Sequence, residues 1–96
     1  SPKFKETNGY VFKIYSLEES RIHIHVFKAE KSAKYWLEPQ YELAHNNGFS
    51  SKELSFIEKI IKEYGNDFKL KFQQHIGNEL ALRINKFCIF NNRHKQ

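Results

Sequence analysis

Apolar and polar positions alternate with a period of two along the first half of the chain, and this pattern predicts β-strands. The run YVFKIY at residues 10–15 is β-branched and aromatic, and the turn pair Asn8-Gly9 comes directly before it. We expect residues 4–6 to pair with this run as a first hairpin. A polar loop over residues 16–20 then leads into a second strand, RIHIHVFKA, at roughly residues 21–29.

Two histidines in that second strand carry the candidate chemistry. Because side chains alternate between the two faces of a strand, His23 and His25 share one face, and Ile22, Ile24 and Val26 take the other. An apolar face can pack on a core while the opposite face presents two titratable rings. We therefore expect both imidazoles to project outward from a sheet.

The next strand completes a candidate face. We predict a two-residue loop at Glu30-Lys31 and a strand that ends before Pro39, because proline has no N–H to donate to the ladder. This register predicts three cross-strand pairs. They are Phe27 with Lys34, His25 with Trp36, and His23 with Glu38.

Helical spacing replaces the alternation in the second half of the chain. Residues 40–46 are read as a third extended piece, and Asn46-Asn47-Gly48 as a turn. Ser50 and Glu53 then match a capping box, and Gly65 is a plausible C-terminal stop. The apolar stripe of this first helix is Leu54, Ile57, Ile60, Ile61 and Tyr64.

A second, shorter helix is predicted from Asn66 or Asp67 to Gly77, because Phe68, Phe72 and Ile76 recur every four residues. Alternation returns after Gly77 and predicts a last strand from Leu80 towards Phe90, followed by a basic tail, so that residues 78–96 hold a strand and the tail. The predicted fold class is α+β: a small antiparallel sheet with two helices packed on one face, in a single domain over residues 1–96.

Composition limits the function classes. The chain has 96 residues, a formal net charge of +5 and one cysteine, so it has no internal disulfide and favours a partner of opposite charge. No apolar stretch approaches the roughly 20 residues that span a bilayer. We expect a cytoplasmic protein that does not enter a membrane. The chain starts at Ser1-Pro2 without methionine, so the native N-terminus could be longer.

The residues on the candidate face permit three interpretations. His23 and His25 could chelate a metal ion with Glu38 and His45, but zinc sites need three or four converging ligands, so we predict no metal and no cofactor. A histidine oriented by Glu38 could act as a general base, and Lys34 could hold a phosphate. The third interpretation is that the rings simply pack against Trp36. The sequence leaves acid–base chemistry and packing open.

The aromatic residues add a binding interpretation. Phe27 and Trp36 could stack on bases, with Lys34 between them, as aromatic side chains on sheets do in single-strand recognition. The sequence has no RNP motif, however, and buried aromatic rings are commoner than exposed ones. Phe27, Lys34 and Trp36 are the candidate binding residues, and His23, His25 and Glu38 the candidate catalytic residues.

Two stretches of the chain resemble a known family. RIHIHVFKAEKSAKYWLEP and YELAHNNGFSSKELSFIEKIIKE are similar to the small bacterial domain-of-unknown-function family numbered forty-one sixty, over roughly residues 10–77. The resemblance implies a small α+β protein, often beside an antitoxin-like partner gene, and some DhiT-like members look like toxins of two-gene systems. It carries no catalytic role to this chain beyond the match at His23, His25 and Glu38.

Three hypotheses about function follow. The first is a small cytoplasmic protein of a toxin–antitoxin-like pair, which acts by binding a small acidic partner protein, with RNA as a further candidate partner. The second is a metal-independent ribonuclease that uses the histidine pair as base and the RNA 2′-hydroxyl as nucleophile. The third is a domain excised from a larger protein.

Overall fold

The computed structural model describes residues 3–14 and 21–94, with side chains as far as residue 77. Over these residues the chain forms an antiparallel sheet of five strands in the order β1-β2-β3-β4-β5, followed by one helix. The α+β class is confirmed. The elements are β1 (Lys3–Thr7), β2 (Tyr10–Lys13), β3 (His23–Lys28), β4 (Lys31–Trp36), β5 (Glu42–Asn47) and α1 (Ser51–His94).

The first hairpin forms where the Asn-Gly pair predicts it. Thr7 pairs with Tyr10 across the turn, and Asn8 and Gly9 both have positive φ angles, 51° and 84°. Two left-handed residues give a turn whose twist matches that of the strands, and asparagine and glycine adopt this conformation at the lowest cost. This prediction is confirmed.

The second hairpin turns one residue earlier than the sequence predicts. Lys28 pairs with Lys31, so the loop is Ala29-Glu30, and Ala29 takes the left-handed conformation with a φ of 54°. A positive φ is uncommon for alanine, so no local signal in the sequence predicts a turn at this residue. The predicted cross-strand pairs are therefore wrong: His25 lies opposite Lys34, and His23 opposite Trp36.

The corrected register keeps every side chain on its predicted face. Each partner moves by two positions, and side chains on a strand repeat every two residues, so the face is unchanged. The exception is Glu38, because β4 ends at Trp36 and Glu38 lies beyond the ladder. The Glu38-Pro39 peptide bond that follows is cis.

The second half of the chain differs most from the prediction. Instead of two helices and a strand, α1 runs from Ser51 to His94, so both the break at Gly65 and the strand from Leu80 are wrong. The hydroxyl of Tyr41 packs against the Cα of Gly65, where a Cβ would overlap it. This glycine is therefore explained by close packing, and the helix continues through it. The apolar run after Leu80 also repeats at spacings of four and three, at Ile84 and Phe87, which suits a helix equally well.

The first half of α1 covers one face of the sheet. Its start is fixed by the predicted capping box: Ser50 Oγ accepts from the Glu53 N–H at 3.2 Å, and Glu53 Oε1 accepts from the Ser50 N–H at 3.0 Å. Stacked rings of Phe12 and Phe68, 5.4 Å apart, join strand β2 to the helix. The buried cluster between sheet and helix includes Ile24, Val26, Ala33, Tyr35, Leu37, Ile57 and Ile61.

Candidate functional site

The sheet face opposite to the buried cluster, called the outer face below, carries a transverse row of basic residues. The register pairs Lys3 with Lys13, Lys13 with His25, His25 with Lys34, and Lys34 with His45. Paired residues lie side by side on the same face, and neighbouring strands are about 4.8 Å apart. One row of five basic side chains, the basic row, therefore crosses all five strands of this outer face.

Aromatic residues lie on either side of the basic row. Phe27 is two residues from His25 along β3, and Trp36 is two residues from Lys34 along β4. The Lys34 Nζ lies 4.4 Å from the centroid of the Trp36 ring, and the Lys13 Nζ lies 5.0 Å from that of Phe27. Ammonium groups over ring faces at such distances are attracted by the ring quadrupole. The predicted binding residues Phe27, Lys34 and Trp36 do share this face.

The two histidines have different environments. The rings of His23 and His25 lie 5.2 Å apart, which confirms that they occupy one side of β3, but His23 is only 2% exposed. Its ring packs edge-on against Phe72 of α1, 5.1 Å between centroids, and against Trp36 at 6.0 Å. The prediction that both imidazoles project outward is therefore wrong for His23, whereas His25 is half-buried on the outer face.

A backbone hydrogen bond fixes the tautomer of His23. Its Nδ1 lies 2.8 Å from the carbonyl oxygen of Arg21, and a carbonyl oxygen can only accept, so Nδ1–H is the donor. The ring is thus held from both sides, by the backbone and by aromatic packing. This arrangement suits a structural histidine that orients the start of β3.

We expect substitution of His23 to act on stability. His23→Ala loses the Nδ1–H hydrogen bond and the contacts with Phe72 and Trp36, and should lower the free energy of unfolding by about 2 kcal/mol. Urea titration followed by circular dichroism measures it. His45→Ala, at an exposed position, is the control and should change stability by less than about 0.5 kcal/mol. Equal effects of the two substitutions would contradict a structural role for His23.

Glu38 has a partner on the helix. Its carboxylate lies 3.0 Å from the Lys69 Nζ, and this contact raises the pKa of Lys69. The Glu38 carbonyl oxygen accepts from the Arg21 Nε at 2.9 Å. The structure thus places this residue at the end of the sheet, where it ties the segment after β4 to β3 and to α1. The predicted pairing of Glu38 with His23 does not occur.

Three further residues of this face were not singled out as binding residues from the sequence. The Arg21 guanidinium lies 4.2 Å from the centroid of the Trp36 ring and 3.5 Å from the Glu42 carboxylate. Lys13 and His45 become candidate binding residues only because the strand registers place them in the basic row. Alternation alone puts each of them on some face of its own strand, but the registers of β2 and β5 were needed to align them. The Asn8-Gly9 turn sets the register between β1 and β2, but it does not align Lys13 with His25 on β3.

Two features are absent from the described part of the chain. Within it, no three His, Cys, Asp or Glu side chains are grouped so that they could hold a metal ion. No helix in that part is long and apolar enough to cross a membrane. Besides its cations, imidazoles and aromatic rings, the outer face carries the carboxylates of Glu6, which is ion-paired with Lys3, and of Glu42, which lies opposite Trp36.

A basic five-stranded meander with one helix across its back defines a small α+β protein with an open sheet face. The chain belongs to the family described as Domain of unknown function (DUF4160), whose model matches residues 9–73. This match confirms the resemblance seen in the two quoted stretches. No curated protein and no solved structure matches the chain.

Proposed function

We propose that this chain is the basic member of a toxin–antitoxin-like pair in the cytoplasm, and that a small acidic partner protein binds the outer face of its sheet. The observation that carries the proposal is the basic row, which concentrates five basic side chains on one rung of the sheet. The net charge of the whole chain, +5, also attracts an acidic partner at long range.

The surroundings of the row support a protein interface. Trp36 and Arg21 belong to the residue types that dominate binding energy in protein interfaces, and Phe27 belongs to a type enriched in interface cores. Phe27 and Trp36 each lie two residues along their strand from a member of the basic row, and the Arg21 guanidinium lies 4.2 Å from the centroid of the Trp36 ring. Charge complementarity would set the association rate and the orientation, and the aromatic rings would supply apolar contact area.

The proposal predicts that charge reversal in the row weakens the complex. Lys13→Glu/Lys34→Glu should lower the affinity for the acidic protein encoded by the neighbouring gene about a hundredfold, because each reversed charge costs at least about 1.4 kcal/mol. The control is Lys59→Glu/Lys62→Glu, which makes the same change of net charge on the exposed surface of α1. Calorimetric titration of the two purified proteins measures both affinities.

Two results would count against this function. If the wild-type chain and its neighbour do not co-elute at micromolar concentration, the pair does not exist. If the control variant loses as much affinity as the row variant, binding depends on net charge alone and the outer face is not the interface. Binding lost only in the row variant supports the proposal.

RNA binding at the same face is a second candidate function. The observation in its favour is that Phe27 and Trp36 flank the row on neighbouring rungs, an arrangement in which bases stack on aromatic rings and phosphates contact cations. Trp36 is the single tryptophan of the chain, so its fluorescence reports on this face directly. Titration with a short single-stranded RNA should quench that fluorescence, and the affinity should fall steeply with salt.

A further inference from the structure

Three members of the basic row lie on consecutive strands in an order that suits phosphate chemistry. His25 on β3 pairs with Lys34 on β4, and Lys34 pairs with His45 on β5. Strands are about 4.8 Å apart, so the Cα atoms of the two histidines are roughly 10 Å apart with the lysine between them. These three residues are called the His-Lys-His triad below.

We propose that the His-Lys-His triad cleaves single-stranded RNA by attack of the 2′-hydroxyl on the adjacent phosphate. The proposal rests on RNA binding at the outer face, the second candidate function above. It keeps Lys34, which the sequence had already suggested for the phosphate, and it takes His45 as the partner of His25 in place of His23 and Glu38. His23 is buried and hydrogen-bonded to backbone, and Glu38 is ion-paired with Lys69 on α1.

The reaction balances with the groups that the triad supplies. One imidazole in its neutral form takes the proton of the 2′-hydroxyl, and the 2′-oxygen forms a new bond to phosphorus. The bond from phosphorus to the 5′-oxygen breaks, and the other imidazole, in its protonated form, gives a proton to that oxygen. The products are a 2′,3′-cyclic phosphate and a 5′-hydroxyl end. The step needs no oxidant, reductant or second substrate.

Lys34 has a defined task in this scheme. Negative charge builds up on the non-bridging phosphate oxygens as the new bond forms, and an ammonium group between the two histidines stabilises it. The Trp36 ring lies 4.4 Å from the Lys34 Nζ and constrains its position. The lysine thus combines phosphate binding with stabilisation of the transition state.

The remainder of the face favours RNA as the substrate class. Phe27 and Trp36 lie on opposite sides of the triad along the strands, so bases on both sides of the cleaved bond have an aromatic ring to stack on. Lys13 extends the row beyond His25 and would contact a neighbouring phosphate. DNA is excluded as a substrate because the nucleophile is the 2′-hydroxyl.

The test compares cleavage with binding in the 96-residue chain. A short fluorescent RNA is the cleavage substrate, and the same sequence with 2′-O-methyl groups, which has no nucleophile, is the binding probe. We expect cyclic phosphate ends from the wild type. His25→Ala and His45→Ala should each lower the rate 10²- to 10⁴-fold. Binding of the methylated probe should stay within a factor of about five.

Controls and contrary results are well separated. His75→Ala, on α1, is the control and should leave the cleavage rate unchanged. Because the His45 side chain is exposed, we expect His45→Ala to fold normally. Binding of the methylated probe without cleavage of RNA overturns the triad but leaves RNA binding intact. Cleavage that persists in His25→Ala/His45→Ala overturns it as well, since a contaminating nuclease then does the work. A chain that binds its acidic partner but no RNA overturns both RNA proposals.

Discussion

Phe68→Ala should lower the free energy of unfolding by about 3–5 kcal/mol, a large part of the roughly 5–15 kcal/mol that stabilises a small domain. The side chain is fully buried, and its ring lies 5.4 Å from that of Phe12 and 6.4 Å from those of Phe4 and Tyr64. Truncation removes contacts to two strands and to the preceding helical turn, and it leaves a cavity that rigid rings cannot refill.

Urea unfolding followed by the fluorescence of the single tryptophan measures this loss. The matched control is Leu70→Ala, two residues further along α1, where the side chain is 58% exposed. Leucine and alanine have similar helix propensities, so the control should change stability by less than about 0.5 kcal/mol. Similar losses for the two variants would mean that α1 does not continue through Gly65 in the orientation that buries Phe68.

Gly65→Ala is expected to destabilise the protein although alanine is the better helix former. A Cβ at this position overlaps the hydroxyl of Tyr41 and approaches the rest of its ring edge, so the ring must move. Overpacking of this kind costs about 1–3 kcal/mol, more than the gain of roughly 1 kcal/mol in helix propensity. Gly77→Ala is the matched control, because a Cβ there meets nothing within 4 Å. It should raise stability by about 0.5–1 kcal/mol.

A second substitution identifies the cause of the expected loss. Tyr41→Phe removes the hydroxyl that lies closest to the added Cβ, so Gly65→Ala should cost less in that background. The difference between the two costs is a coupling free energy, which thermal unfolding of the four proteins can measure. Stability gained equally at positions 65 and 77 would show that Tyr41 does not pack against the helix.

Local signals in the sequence predict the local structure well. The pair Asn8-Gly9 predicts the first hairpin, and the box formed by Ser50 and Glu53 predicts the start of α1, because each depends on a few neighbouring atoms. The shared side of His23 and His25 follows from the pleat of a strand alone. These features need no knowledge of the rest of the fold.

Long-range packing accounts for the features that the sequence did not predict. Gly65 resembles a helix stop until Tyr41, distant in sequence, is known to pack against it. The burial of His23 depends on Phe72, which reaches it only because α1 is continuous. The basic row depends on the registers of four strand pairs. The register of the second hairpin is set by the left-handed conformation of Ala29. The catalytic and binding roles stay predictions.

The order of the strands has a consequence for how the molecule assembles. Every strand pairs with the strand that precedes or follows it in the chain, so each strand pairing joins residues that are close in sequence. Such short-range pairing lowers the contact order of the sheet, whereas the docking of α1 adds contacts between residues far apart in the chain, such as Phe4 and Phe68. All five strands precede α1, and synthesis runs from the N-terminus. We expect successive hairpins to form on the emerging polypeptide, with the helix docking last and completing the core.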